Sequence, residues 1–200
     1  MENLAALFAF AIAGSVTPGP NVLMVAASAA RVGWRATLPH MFGITVGFSG
    51  MLVVVGFGLA GPLLASPTLH RALQWAAAAW LLWLAWKIAA APLPEAGAAP
   101  RALMGFRAAA LFQWVNPKAW MLSAAVIPAF TRPGEPLAPQ IATIALVFAA
   151  VSMPCLLAWA AIGTGAGRLL TSPARLRAFN IAMGVVLAAS LWPLVDLSLR

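Results

Sequence analysis

The chain has 200 residues, of which 63% are hydrophobic and only 8% charged, with a mean hydropathy of +0.94. Soluble domains carry roughly 25% charged residues, so 12 Lys and Arg with 4 Asp and Glu cannot cover a water-soluble surface of this size, and the solvent is lipid. A net charge of +8 would suggest nucleic acid in a soluble chain but reads here as Arg-rich cytoplasmic loops, and a single cysteine, Cys155, excludes an intramolecular disulfide and a cysteine metal cluster.

A helix crossing the hydrocarbon core needs about 20 mostly apolar residues, so the length admits six or seven crossings and no soluble domain. Residues 4–29 carry no charge between Glu2 and Arg31. They form the first span, because the run is too long for a signal-peptide core and lacks its basic start. After the polar step Arg31 to Arg35, residues 38–64 form a Gly-rich second span, followed by a turn at 65–68. Residues 70–91 form the third, with Lys87 placed to snorkel at its end. The Pro- and Gly-rich stretch 92–107 is the longest connector and divides the chain into halves, 1–91 and 108–200, of a single transmembrane transport domain. Spans four, five and six follow at 108–130, 140–164 and 178–197.

Orientation follows from the basic residues of alternate loops. Arg31, Arg35, Lys87, Arg101, Arg107, Arg168, Arg175 and Arg177 fall on one side, against Arg71, Arg132 and Arg200 on the other. The richer side is cytoplasmic, which puts both termini in the periplasm. The expected fold is therefore an all-α integral membrane protein of six transmembrane helices. Three helices per half would place the second half upside down relative to the first, the 3+3 inverted repeat of many secondary transporters.

The first helix of each half is broken at mid-membrane. Thr17, Pro18, Gly19, Pro20 and Asn21 interrupt span one, and Asn116, Pro117 and Lys118 interrupt span four. Proline lacks an N–H and crowds the carbonyl four residues back, so Pro18, Pro20 and Pro117 are expected to orphan the carbonyls of Gly14, Val16 and Gln113. Non-helical backbone at that depth is tolerated only beside protein or a water-filled cavity. These residues are thus candidates to bind substrate, with Thr17 and Asn21 lining the cavity. Lys118 is the one ionisable side chain well inside a span, at a cost of roughly 2.5–3.5 kcal/mol on insertion scales. Carbonyls, water or a ligand carboxylate would partner it. Pro128 and Pro154, with no polar groups attached, read as kinks.

Other features are less pointed. Gly43-x-x-x-Gly47 permits close helix approach, within the chain or across a homodimer seam, and the former is the preferred reading. His40, at the cytoplasmic start of span two, and Asp196, near the outer face, are the candidates for proton coupling, each weighed against an ordinary interfacial position. The sequence offers no Walker A pattern, no metal cluster, no nucleophile–base pair and no cofactor site, so it reads as neither an ATP-driven pump nor an enzyme.

Thr17 to Asn21, Arg31 to Ala36 (RVGWRA), Gly43 and Gly47, and Phe112 to Ala119 (FQWVNPKA) together resemble the LysE/RhtB family of amino-acid exporters, in order and spacing, over nearly the whole chain. The resemblance implies a multi-pass protein of the bacterial inner membrane that exports amino acids or similar zwitterions from cytoplasm to periplasm by proton antiport. The expected partners are an amino-acid substrate, protons and the lipid bilayer, and not nucleic acid. Export of a metal ion or another small solute is the nearest rival. A membrane enzyme and a thiol-electron carrier, which would need two redox cysteines, are further off.

Overall fold

The computed structural model describes residues 4–58, 75, 79, 82–83, 85–90, 102–132, 134–169 and 172–189. Helices α1 (Leu4–Val16), α2 (Pro20–Gly56), α3 (Phe106–Phe112), α4 (Pro117–Phe130), α5 (Leu137–Leu169) and α6 (Pro173–Ala189) are ordered along the chain, with a 3₁₀ turn at Gln113–Val115. Most of the third span, Asp196, His70 and the ends of the second and sixth spans lie outside the described residues. Every described element is helical.

By length and composition two helices, Pro20–Gly56 and Leu137–Gly167, are able to cross a bilayer. Among the described residues, spans one and four fall short of that test because they are cut at their breaks. Leu4–Val16 has 13 residues and Pro117–Phe130 has 14, each shorter than the roughly 20 a crossing needs.

Helix α2 is itself two helices meeting at Gly33, whose φ of 79° lies in the left-handed region that L side chains rarely adopt. The polar loop expected at Arg31–Arg35 is thus a one-residue joint. Its direction is fixed by contacts with α5. Before Gly33, Gly163 meets Ala26 and Gly167 meets Ala30, so residues 20–32 run parallel to α5. Beyond it, Phe48 stacks edge-on against Phe148 and Gly56 meets Ile141, so residues 34–56 run antiparallel. The chain therefore folds back on itself at Gly33, where the Thr37 hydroxyl donates to the Gly33 carbonyl at 2.9 Å.

Helix α1 also runs parallel to α5, since Phe10 meets Phe148 and the Trp159 indole donates to the Val16 carbonyl. Residues 4–16 and 20–32 are thus two parts of one broken span. The α3–α4 span packs against it antiparallel: Gln113 meets Asn21, Lys118 meets Thr17, and Gly14 faces Leu122. The apolar core divides in two. One cluster, around Met24, Val25, Met41, Ile44, Phe112 and Ala160, lies toward the Gly33 end. The other, around Leu7, Ala11, Met51, Leu52, Val126 and Ile141, lies toward the start of α5.

Gly43 and Gly47 pack within the chain. A Cβ on Gly43 would collide with the Phe106 carbonyl, and one on Gly47 would lie 2.6 Å from Ala110 Cα. The flat glycine faces let α3 seat directly on 34–56, while Gly163 and Gly167 do the same for α5 on 20–32.

Candidate site at the paired helix breaks

Both breaks start a helix. Gly19 is extended (φ −173°, ψ 177°) and precedes Pro20, while Asn116 (φ −87°, ψ 110°) precedes Pro117. Proline suits the first helical turn because its missing N–H would lack an intrahelical acceptor there anyway. The Asn116 side chain caps α4, its Oδ1 accepting from the Lys118 backbone N–H at 3.1 Å. Two helix N-termini, each the positive end of its dipole, thus open at the level where the antiparallel spans cross.

The carbonyls expected to be orphaned are all partnered. Gly14 accepts from the Thr17 hydroxyl at 3.3 Å, Val16 from the Trp159 indole at 3.2 Å, and Gln113 from the Asn116 N–H at 3.2 Å. The carbonyl that receives the site's cation is Thr17's, to which Lys118 Nζ donates at 2.5 Å. A lysine ammonium has three donors, so the others remain available.

A small, half-open cavity of about 50 Å³ lies at this crossing. Gly19, Asn21, Asn116 and Lys118 line it. Thr17 does not, because its hydroxyl turns back to the carbonyls of Ala13 and Gly14. Pro18, Pro20 and Pro117 shape the backbone without contributing to the wall. Ser15, Gln113 and Ser152 complete the polar side, while Val22, Ile44, Phe48, Leu122 and Leu156 make an apolar one. Lys118 is the one ionisable residue in this lining.

Gln113 was not among the residues singled out by sequence. It is fully buried and forms a reciprocal amide pair with Asn21. Asn21 Nδ2 donates to Gln113 Oε1 at 2.9 Å, and Gln113 Nε2 donates to Asn21 Oδ1 at 3.2 Å. Gln113 Nε2 also donates to the Ala109 carbonyl at 2.9 Å. A carbonyl can only accept, so this bond fixes which way the Gln113 amide is turned and, through it, the orientation of Asn21. The signal that could have found it is a neutral amide inside a span, three residues before the Asn116 break.

His40 packs in the protein interior. It is fully buried, and both ring nitrogens lack a hydrogen-bond partner. It stands apart from the cavity lining, because the fold-back at Gly33 carries the start of residues 34–56 into the interior. Asp196 lies outside the described residues. Among the described residues no group of three or more His, Cys, Asp or Glu is placed to hold a metal ion.

The family profile described as "LysE type translocator" matches residues 12–192. The cysteine/O-acetylserine efflux protein of Escherichia coli strain K12 is 27% identical over 187 residues, covering 92% of this chain and 93% of that protein. The protein of that name in Salmonella typhimurium strain LT2 is also 27% identical, over 163 residues, with 80% and 82% covered. No solved structure matches. With both breaks, the Gly33 joint and the cavity inside the matched region, the chain belongs to the LysE type translocator family of membrane transport proteins.

Proposed function

We propose that the protein is a secondary exporter of amino acids or related small zwitterions, carrying them from cytoplasm to periplasm across the bacterial inner membrane in exchange for protons. Its full architecture is a 3+3 inverted repeat of six spans with both termini periplasmic. The observation that carries this reading is the antiparallel meeting of two broken helices with Lys118 reaching across to Thr17. A carboxylate entering the cavity would meet the Lys118 ammonium and the first-turn N–H groups of α2 and α4, which together make an anion site at membrane mid-depth. The apolar wall would take a short side chain. Relatives named for cysteine and O-acetylserine efflux support cargo of this size and charge.

Cells loaded with a panel of dipeptides test it directly. Production of the protein should speed the exit of one or more small amino acids, with cysteine, O-acetylserine and serine the first to measure. If none leaves faster, and toxic analogues are tolerated no better, the export reading fails. Lys118→Ala should be made normally but export at least about tenfold more slowly, as expected for losing a charge-assisted hydrogen bond of about 1.5–3 kcal/mol. Full export by a well-expressed Lys118→Ala protein would remove Lys118 from the mechanism.

A further inference from the structure

The glycine contacts divide the helices around the cavity into two bodies. Gly163 and Gly167 bring α5 onto the backbone of Ala26 and Ala30, joining residues 20–32 to 156–169. Gly43 and Gly47 bring α3 onto residues 34–56, which also hold the first part of α5 through Phe48–Phe148 and the Ser49 hydroxyl bonded to the Ala145 carbonyl. Backbone seated on backbone leaves no room for either pair to slide.

The first body meets the rest of the chain where helical hydrogen bonding is interrupted. Residues 17–19 separate 20–32 from α1, Gly33 separates them from 34–56, and Pro154, which has no N–H to give, weakens the tie between the two parts of α5. Side-chain hydrogen bonds cross the face between this body and the span that contains α3. Asn21 pairs with Gln113, and Ser28 Oγ accepts from the Leu103 N–H at 3.0 Å. This face runs from the cavity toward the end of the molecule that carries Arg31, Arg35 and Arg107.

We propose that residues 20–32 and 156–169 move as one body and that the Asn21–Gln113 pair is the gate between the cavity and the Arg-rich end, with Gln113 a specificity-determining residue of transport. The inference rests on the export reading for its cargo but not for its motion. Backbone packed on backbone keeps each body together, whereas at the face between them two amide hydrogen bonds, beside the apolar contacts of Met24 and Val25 with Met41, Ile44 and Phe112, can be exchanged for bonds to water or to a polar solute. Parting the pair leaves two buried amides unsatisfied. A zwitterion, which brings both donors and acceptors, can satisfy them, and an apolar solute cannot. The gate therefore opens more readily for solutes that replace what it loses than for apolar ones.

Two measurements test this in a Cys155→Ala background, which leaves no native thiol. The first is the rate at which N-ethylmaleimide labels Ser28→Cys in membranes. Ser28 is fully buried, so labelling reports opening of the face. Adding Gln113→Leu, which keeps the bulk but removes the amide, should speed labelling about tenfold, because the closed state loses a buried pairing. An unchanged rate would overturn the gate. The second is export by the Ser28→Cys, Leu103→Cys pair. The reduced protein sets the reference rate of export. Oxidised by copper phenanthroline in air, it should lose at least about nine-tenths of export and regain it with dithiothreitol. Export at the reference rate by fully cross-linked protein would overturn the moving body. Labelling needs no cargo, so a tenfold acceleration in a protein that exports no amino acid would support the gate while defeating the export reading.

Discussion

Replacing Gly19 with alanine separates the proposed role of Lys118 from the integrity of the fold. Gly19 is extended, with φ of −173°, so alanine suits its backbone without strain. A Cβ there would lie 2.7 Å from Lys118 Cδ and 3.2 Å from Nζ. Ordinary carbon–carbon contact is about 3.5–4.0 Å, so the lysine chain must retreat by roughly 1 Å. Its flexible stem can do this cheaply, which leaves folding intact. The cost falls on the 2.5 Å bond from Nζ to the Thr17 carbonyl and on the position of the ammonium in the cavity. Hydrogen bonds to charged groups contribute about 1.5–3 kcal/mol, and each 1.36 kcal/mol is about tenfold in rate. Gly19→Ala should therefore export about 10- to 100-fold more slowly while its membrane expression stays near that of the parent. The assay is amino-acid efflux normalised to the amount of protein in the membrane. Parental efflux from Gly19→Ala would refute the placement of Lys118 as the carboxylate-binding group.

Other substitutions probe the frame around the site. Gly47→Leu should lower the melting temperature and membrane yield, since its Cβ would lie 2.6 Å from the Ala110 backbone, whereas Gly50→Leu, with nothing within 4 Å, should be tolerated. Equal yields for the two would refute the glycine seat of α3. Gly33→Ala must hold an L residue at φ 79° and should destabilise the protein by about 1–2 kcal/mol, measured as a lower midpoint in a thermal solubility assay. Asn116→Ala removes the cap of α4 and should cost about 1 kcal/mol in the same assay.

The two breaks were legible in the sequence because proline's missing N–H acts locally, wherever the chain goes afterwards. The flanking charges put them mid-way along their apolar runs, and Lys118 stood out because so few charged residues compete with it. What the breaks bind was not legible. The Gly14 and Val16 carbonyls are served by Thr17 and Trp159, and the indole arrives from 143 residues away. Sorting by charge and by helix breakers passed over Gln113, a neutral amide whose partner Asn21 is 92 residues distant. The Gly33 joint was hidden for a different reason. Arg31 and Arg35 suggested a polar loop, but one residue in a left-handed conformation suffices to reverse the chain.

The fold-back at Gly33 bears on how the chain enters the bilayer. With a single residue between the descending and returning helices, neither can cross without the other, so the insertion machinery must accept the pair as one hairpin. Arg31 and Arg35 flank the turn, with the Arg35 guanidinium 5.3 Å above the Trp34 ring, and tether it among the lipid headgroups. The relative topology of the two helices it joins is then set by a turn too short to accept a tag, a protease or a glycan.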